Sequence, residues 1–515
     1  MTADVIVVGA GGGGPVVAKE LAERGLEVTM LEAGPWLDPD RDFSRLEDDM
    51  NGVIDGRLRW GPSNRTAAPW MRRRDGVGFI LQASGVGGTT LHYNAIAPRI
   101  YPGSMTAWPF PYAELVPWYE RVEEFLPVVA VGDLALKDEI FSRGCEGIGL
   151  ARSDSADCDA AFWRPCRNAI LPAAAMTPGR EPRYPESDGC TMCGHCIQGC
   201  AMPVGAPLER KAKRATNVSF VPAAVATGRC RVIPDAFVTT VLFEHRPDGR
   251  ARARGVRWRD TAGGEMHEEE ARAVVLAGGT VETPRLWLNS GLPNSHDVVG
   301  RYFTMHLQDF VTGFFDRDVS PDAGQVTMAR ADFPGTGTFW AQGVGPQAFA
   351  VAIAGIGRGF WDQTPAGEPW DIRGRFFGAE AMRRIAEYRR SLTICISTDD
   401  EEVPENRVAL AEDWPADEHG AVPNVIYRPT PRTVERREWL SRTAANVLRT
   451  AGAHTVHRTD PAPFVTHLMG TMRIGNDPAT SVCDPGGEAH EVEGLFVADC
   501  SALPNGCGGV NPTLT

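Results

Sequence analysis

The chain opens on Asp4-Val-Ile-Val-Val-Gly-Ala-Gly-Gly-Gly-Gly14, a β-branched run that is followed directly by glycines. An unbroken β-branched run predicts a strand that is buried on both faces of a sheet. Residues 15–24 then have a helical composition, and residues 28–31 predict a second strand that Glu32 closes. The stretch therefore predicts a strand, a glycine turn, a helix and a second strand at the core of an N-terminal α/β domain.

The glycines of this stretch follow a recurrent spacing. Gly9, Gly11 and Gly14 stand in G-x-G-x-x-G register, and Glu32 lies 18 residues beyond Gly14. In this context the first glycine permits a tight turn, the second lets a pyrophosphate approach the backbone, and the third lets helix and strand pack closely. The helix N-terminus attracts phosphate charge, and a carboxylate after the second strand accepts hydrogen bonds from a ribose. The sequence predicts a dinucleotide site in preference to a glycine-rich turn without a ligand.

Composition limits the classes of function. The 515 residues are 43% hydrophobic and 23% charged, as is ordinary for a globular protein of about two or three domains. A net charge of −14 argues against a nucleic-acid partner, and solubility explains this acidity better than a cationic ligand does. Because the chain has no run of 18 apolar residues and no leader peptide, we expect no membrane span and a cytoplasmic location.

A second glycine-rich segment follows a long polar connection over residues 35–74. A connection of this length is more often functional than idle. In the segment itself, Gly85, Gly87 and Gly88 would let backbone approach a flat ligand. The polar side chains that could hydrogen-bond the edge of a ring are Thr89, Thr90, His92 and Asn94.

Four of the twelve cysteines are grouped within eleven residues, as Cys190-x2-Cys193-x2-Cys196-x3-Cys200. In a reducing compartment such a group indicates metal binding rather than disulfides. The spacing is that of a bacterial ferredoxin run, which favours an iron–sulfur cluster held by all four thiolates, or by three together with Cys158 or Cys166. A structural zinc site and buried free thiols are the alternatives.

Periodicity predicts the remaining elements. The predicted helices cover residues 112–126, 282–288 and 433–451, and the predicted strands cover residues 230–233, 238–243, 255–258, 273–276 and 495–499. The basic run Arg210-Lys-Ala-Lys-Arg214 is expected to form a solvated or anion-facing turn. From about residue 301 to residue 462 the pattern changes to apolar, glycine-broken strands, which predicts a separate sheet-based domain.

Taken together, these segments resemble the glucose–methanol–choline (GMC) family of FAD-dependent alcohol oxidoreductases. The resemblance extends over most of the chain and rests on several motifs in the family's order. These are the N-terminal unit ending at Glu32, the segment Gly85 to Arg99, Ala277-Gly-Gly-Thr-Val-Glu-Thr-Pro-Arg-Leu286 with Ser290-Gly291, His467-Leu-Met-Gly-Thr-Met-Arg-Ile-Gly475, and Val497 to Pro512. Relatives usually continue past this last motif with a helix of about 20 residues, whereas this chain stops at Thr515.

The resemblance implies an α/β fold (α+β overall) with two parts. One is a Rossmann-like FAD-binding domain with a parallel sheet, drawn from residues 1–105, 190–300 and 463–515. The other is a substrate-binding domain on a large antiparallel sheet, drawn from residues 106–189 and 301–462.

The family's site residues carry over by motif. His467 is the implied catalytic base, because an imidazole has a pKa near neutrality without perturbation. Asn511 is the implied second polar residue, which would hold the substrate oxygen. In several relatives a histidine in the register of His92 carries FAD covalently, and a non-covalent contact is the alternative. The implied cofactor-binding residues are Gly9, Gly11, Gly14, Glu32, Gly87, Gly88, Thr89, His92, Asn94, Val238, Gly278, Asp499 and Asn511. No motif supports a catalytic role for His306, His454 or His457.

The implied function is oxidation of an alcohol group on a sugar, glycoside or aminoglycoside. His467 would abstract the hydroxyl proton, a hydride would pass to flavin N5, and an external acceptor would take the electrons. Some sugar dehydrogenases of the family carry an iron–sulfur cluster beside FAD, which would agree with the cysteine spacing. The alternatives are an oxidase that returns electrons to oxygen as hydrogen peroxide, and a flavin and iron–sulfur electron-transfer subunit that needs no base.

Overall fold

The computed structural model describes residues 3–43, 73–76, 79–80, 82–155, 160–172, 189–247, 250–354, 370, 376, 378–459 and 464–515. Its α-helices are α1 (Gly14–Glu23), α2 (Pro39–Asp42), α3 (Val116–Phe125), α4 (Leu136–Gly147), α5 (Phe220–Ala226), α6 (Gly279–Asn289), α7 (Pro346–Ala354), α8 (Gly378–Ala386) and α9 (Pro431–Thr450). Most of the 35–74 connection and Cys158, an alternative cluster ligand, lie outside the described residues.

The strands before residue 280 are β1 (Ala3–Val8), β2 (Val28–Leu31), β3 (Arg73–Asp75), β4 (Phe79–Ile80), β5 (Val129–Ala130), β6 (Ala151–Arg152), β7 (Phe162–Pro165), β8 (Arg167–Asn168), β9 (Cys230–Ile233), β10 (Ala236–His245), β11 (Ala251–Asp260) and β12 (Met266–Leu276). Those that follow are β13 (Thr304–Phe314), β14 (Ala329–Phe333), β15 (Gly337–Gln342), β16 (Ser391–Thr398), β17 (Arg407–Leu410), β18 (Pro423–Ile426), β19 (Thr455–Thr459), β20 (Phe464–Met469), β21 (Val492–Glu493) and β22 (Leu495–Val497).

The first sheet has β1 near its centre. In the described part of the chain its eight strands run in the order β10-β11-β12-β1-β2-β9, with β21 beside β11 and β22 beside β12. The pairs β1–β2, β1–β12, β2–β9 and β12–β22 are parallel, whereas β10–β11 and β11–β12 are antiparallel. Because parallel strands end at one edge of a sheet, the turns after β1, β2 and β22 meet there, and they carry Gly9, Glu32 and Asp499.

The second sheet is mostly antiparallel. Over the described ranges its nine strands run in the order β4-β20-β13-β16-β15-β14-β7-β6, with β19 beside β13. Helices α4 and α9 cover one face, where Val311 and Ile394 pack against Leu440. Since side chains alternate along a strand, His306, Gln308 and Phe310 of β13 point to the opposite face. This face, opposite the two helices, is the one that carries the candidate site, and Ile96 packs on it against Phe310.

These two sheets confirm the predicted fold class, a parallel nucleotide-type sheet with a large antiparallel sheet. The helix predicted over residues 433–451 is α9, and the meander strands are β9, β10 and β11. The division into domains stays a prediction. Strands β4 and β20, which come from segments assigned to the FAD-binding domain, pair with each other and β20 pairs with β13 in the second sheet. Within the described chain, no helix combines the length and the apolarity needed to cross a bilayer.

Candidate active site

The glycine turn after β1 is built for close approach. Gly9 has a φ of +106°, and a Cβ at this position would lie 2.3 Å from the carbonyl oxygen of Ala277, so only glycine fits. Gly11 differs, because a Cβ there would meet nothing nearer than the Cα of Gly88 at 4.0 Å. Helix α1 begins at Gly14 and directs its N-terminal amides toward this space. The space beside Gly11 is therefore free for a phosphate-bearing ligand.

We expect Gly11→Ala to lower FAD affinity roughly tenfold or more, because the added methyl group would occupy the space of a pyrophosphate. The fold should tolerate the methyl group, so the melting temperature of the apoprotein should stay unchanged. Gly12→Ala is the matched control, since its Cβ would also be unhindered, 3.8 Å from Thr90 Cγ2. Fluorescence titration of each apoprotein variant with FAD measures its affinity. Equal affinities of the Gly11→Ala and Gly12→Ala variants would contradict the nucleotide site.

Glu32 is buried at the end of β2 and is held by backbone amides. Its Oε2 accepts a hydrogen bond from Ala10 N (2.8 Å), and its Oε1 accepts from Gly34 N and Gly85 N (2.9 Å each). Burial raises the pKa of Glu32, while the three amides favour the carboxylate. The side chain thus joins the first glycine turn to the second glycine segment, and its role toward a ribose stays a prediction.

Thr216 joins these two segments a second time, a role that the sequence analysis missed. Its Oγ1 donates to Gly11 O (2.8 Å), and its N–H donates to Thr90 Oγ1 (3.0 Å). The 85–94 segment is also fixed to the second sheet, because Asn94 Nδ2 donates to Thr327 Oγ1 (3.2 Å) and Gln342 Oε1 (3.1 Å). Of the residues predicted here, Gly87 and Gly88 lie at the start of a 3₁₀ turn and Thr89 is exposed.

His92 is buried and is positioned by the cysteine segment. Its Nδ1 lies 2.9 Å from Ile197 O, and because a carbonyl only accepts, Nδ1 carries the proton and the neutral ring has its lone pair on Nε2. The Lys213 ammonium joins the same two segments, because it donates hydrogen bonds to the carbonyl oxygens of Leu91 and Cys196, the residues before His92 and Ile197. A covalent bond from His92 to FAD stays a prediction, and acid precipitation of the holoenzyme tests it, since covalent flavin remains in the pellet.

The basic run, which we expected to form a solvated or anion-facing turn, is mostly buried rather than solvated, although Lys211 does pair with the Asp40 carboxylate. Lys211, Lys213 and Arg214 are all buried and donate to backbone carbonyls. Burial lowers the pKa of Lys213 to about 8. The expectation of a solvated turn was wrong because charge patterning alone does not show which cations the fold surrounds with carbonyl oxygens.

The four grouped cysteines line one small cavity together with Lys213. Burial raises the pKa of Cys190, Cys193 and Cys196. Among the described side chains, no group of three histidines, cysteines or acids is arranged to hold a metal ion. The iron–sulfur cluster and the zinc site have no support in this arrangement and stay predictions.

His467 lies at the centre of a hydrogen-bonded chain of three side chains. Its Nδ1 is 2.8 Å from Nδ1 of His306, and its Nε2 is 3.1 Å from Nδ2 of Asn511. Nε2 of His306 is in turn 2.8 Å from the carbonyl oxygen of Gly506. His467 has a φ of +55°, a left-handed conformation, two residues before the end of β20, where the pairing with β13 is irregular. The fold thus brings the two predicted catalytic residues together and adds His306, which we had not assigned.

The chain of hydrogen bonds fixes where the protons lie. Because Gly506 O can only accept, Nε2 of His306 carries a proton, and the neutral His306 ring then accepts at Nδ1. His467 must therefore donate from its own Nδ1, which leaves the lone pair of its Nε2 facing Asn511. Burial lowers the pKa of His306 to about 4, and burial together with the neighbouring His306 lowers the pKa of His467 well below its usual value. At neutral pH both rings are neutral, and the lone pair of His467 Nε2 accepts a hydrogen bond from the Asn511 amide.

Several polar side chains lie on the same face of the second sheet as His306. Gln308, Ser397 and Thr338 lie opposite one another across β13, β16 and β15, so they share this face of the sheet. Gln308 Nε2 donates to Thr466 Oγ1 (2.7 Å), next to His467. Among the described residues, the buried Gln308 Oε1, Ser397 Oγ and Asn511 Oδ1 have no hydrogen-bond partner. Because buried polar atoms are normally satisfied, this face is suited to a ligand with several hydroxyl groups.

The remaining predicted residues lie at the edge of the first sheet. Asp499 Oδ2 accepts from Gly279 N (2.8 Å) and from Thr283 Oγ1 (2.7 Å), so its carboxylate caps α6 directly after Gly278. The Val238 side chain packs in the core with Val8 and Leu31, on the edge strand β10. A role of Val238 toward a cofactor would therefore belong to its backbone, since the core occupies its side chain.

Comparison with known proteins identifies the family. Models described as GMC oxidoreductase match residues 163–308 and 403–515, which together make up half of the chain. The chain belongs to the GMC oxidoreductases. This family membership implies FAD as the cofactor and an enzyme that acts on CH–OH donors.

Curated relatives of this GMC oxidoreductase are similar over almost their whole length. It is 27% identical to 6'''-hydroxyparomomycin C oxidase of Streptomyces lividus over 99% of this chain and 89% of that protein. It is 28% identical to paromamine 6'-oxidase of Streptomyces fradiae (99% and 88%) and to 2-methyl-1,2-propanediol dehydrogenase of Mycolicibacterium austroafricanum (99% and 92%). The crystal structure of pyridoxine 4-oxidase from Mesorbium loti shares its fold, with a TM-score of 0.65, 17% identity and coverage of 99% of this chain and 97% of that one.

Proposed function

We propose that this GMC oxidoreductase oxidises an alcohol group with His467 as the general base. The observation that carries the proposal is the series of hydrogen bonds that runs from the Gly506 carbonyl through His306 and His467 to Asn511. It leaves the Nε2 nitrogen of His467 unprotonated and beside an amide. A flavin and iron–sulfur subunit that only carries electrons would need no such base.

The residues at the edge of the first sheet suit FAD. The open space beside Gly11 and the N-terminus of α1 would receive the pyrophosphate, and the buried Glu32 would accept hydrogen bonds from a ribose. The segment around His92 would lie against the ring system. When bound, FAD accepts the hydride that leaves the carbinol carbon.

The protein's own part in the reaction concerns the hydroxyl group. A substrate hydroxyl would displace the Asn511 amide from His467 Nε2, donate its own hydrogen bond there and give up its proton as the carbonyl forms. His306 would accept from the opposite nitrogen of the same ring and keep the lone pair directed at the substrate. Asn511 would donate from its amide to the developing alkoxide, which lowers the free energy of the charged state.

The substrate that we propose is a polyhydroxylated molecule, such as a sugar, a glycoside or an aminoglycoside. The unpartnered atoms of Gln308 and Ser397 support this choice, because each could bind a hydroxyl group next to the one that is oxidised. Two of the relatives are named for aminoglycosides, whereas a third is named for a small diol.

For the electrons, we propose an external acceptor, with oxygen as the alternative that the two relatives named as oxidases favour. Reoxidation of the reduced holoenzyme in air distinguishes them. Rapid recovery of the oxidised flavin absorbance, with formation of hydrogen peroxide, would identify an oxidase. Slow recovery of this absorbance that an artificial acceptor accelerates would identify a dehydrogenase.

Anaerobic mixing of the holoenzyme with a panel of sugars, glycosides and aminoglycosides tests the proposal. We expect flavin bleaching with at least one of them, at a rate that stays constant as the pH falls through 6.5. Because the pKa of His467 is held well below 6.5, the neutral base persists into acid and the rate should fall only at lower pH. A rate that falls through an apparent pKa at or above 6.5 would contradict this state of His467.

A further inference from the structure

We propose that a cavity beside strands β7 and β14 binds a small tetrahedral oxyanion, through an arginine cluster formed by Arg99, Arg164, Arg167 and Arg330. The cavity has a volume of about 170 Å³ and is lined by these side chains with Pro98, Glu123 and Asp154. This site is separate from the residues assigned to alcohol oxidation, and the proposal does not rest on that function.

The positive charge of the cluster is only partly balanced. Arg164 and Arg330 are directly opposite each other in the β7–β14 pairing, are both more than nine-tenths buried, and share the single carboxylate of Asp332. Arg99 and Arg167 likewise share Glu123, at 2.7 Å and 3.8 Å. In the described chain, four guanidinium groups thus share two carboxylates.

Asp154, the third acidic residue at the cavity, adds little to the neutralisation of the four arginines. Asp154 is largely exposed and lies 3.4 Å from Arg152, which is outside the cluster. Like charges directly opposite in a sheet destabilise it, and an unbalanced buried charge is costly. Because the whole chain carries a net charge of −14, this concentration of arginines is a local exception that an anion would neutralise.

The size and the donors of the cavity select the ligand. A cavity needs roughly 10–15 Å³ to hold a single water molecule. The 170 Å³ of this cavity therefore holds a phosphate or sulfate ion with accompanying waters. Guanidinium groups bind such oxyanions through paired N–H donors. Arg167 is partly exposed, with 41% of its side chain accessible, which places an entrance on its side of the cavity.

Calorimetric titration of the FAD-loaded holoenzyme with inorganic phosphate tests the proposal. The bound cofactor keeps phosphate out of the nucleotide site, and sodium chloride keeps the ionic strength constant. We expect saturable binding that Arg167→Gln weakens about tenfold or more. Arg143→Gln is the matched control, because it removes one exposed arginine from α4 outside the cavity.

Titration with glucose 6-phosphate identifies the source of the anion. Affinity similar to that of phosphate would show a site for a phosphate group on a larger molecule, and much weaker affinity would show a site for the free ion. Both results support the arginine cluster as the binding site. The proposal is overturned if phosphate does not bind, or if Arg167→Gln binds it as well as the Arg143→Gln control does.

Discussion

Replacing His467 with alanine is expected to lower kcat for alcohol oxidation by about 10²- to 10⁴-fold, the usual contribution of a positioned general base. The loss follows because the Nε2 lone pair disappears, and neither Asn511 nor His306 can take its place. His306 is turned away, since its donor nitrogen is bound to Gly506 O. Steady-state kinetics of the FAD-loaded variant, with flavin content measured by absorbance, checks the result.

His454→Ala is the appropriate control for this experiment. His454 is an exposed histidine whose Nδ1 pairs with the neighbouring Thr455, so its removal should leave kcat unchanged. If the His467 variant retains full turnover with normal flavin content, another group must abstract the proton. In that case the hydrogen-bonded chain would have a structural role only.

The second large effect is expected at His306. His306→Phe keeps an aromatic ring but removes the acceptor for His467 Nδ1–H, so the proton is free to move to Nε2 and block the base. We expect kcat to fall roughly tenfold to a hundredfold with little change in KM, as for other residues that orient a functional histidine. Steady-state kinetics across pH measures kcat and KM of this variant. A change in kcat alone is expected because His306 contacts the base and not the substrate.

His306→Gln separates positioning from packing. A glutamine amide can donate to Gly506 O and accept from His467 Nδ1 with the same side chain, so it should restore most of kcat. A residue needed only to fill space would give the opposite order, with phenylalanine the better replacement. Equal loss in both variants, with normal melting temperature and flavin content, would also contradict the orienting role.

The nucleotide half of the molecule could be predicted because its signals are local. The run before Gly9, the glycine spacing and Glu32 lie within one short strand–helix–strand unit, and the structure has β1, α1 and β2 at these places. His467 and Asn511 were found through family motifs. Their contact could not be derived from their own sequence neighbours, because it depends on a left-handed turn near the end of β20.

His306 could not be predicted from the sequence because its role arises from strand pairing. It is 161 residues from His467, and the two rings meet only because β13 pairs with β20. One signal was present: His306 and Gln308 alternate within the region that was predicted to form a sheet, so they would share one face of a strand, but nothing local shows which face meets the cofactor. Thr216 and Lys213 were missed for the same reason, since their partners are backbone atoms of distant segments.

One loop holds both ends of the histidine chain. Residue 506 supplies the carbonyl that orients His306, and residue 511 supplies the amide that contacts His467. Between them, Cys507, Gly508 and Gly509 all have positive φ values, so the loop follows a single tight path. Any change that shifts this loop would therefore break two hydrogen bonds together, the one that Gly506 O accepts from His306 and the one that the Asn511 amide donates to His467. Under the proposed function, the orientation of His306 and the contact of His467 with its amide would therefore depend on one six-residue turn, whereas the polar side chains of the second sheet belong to other segments.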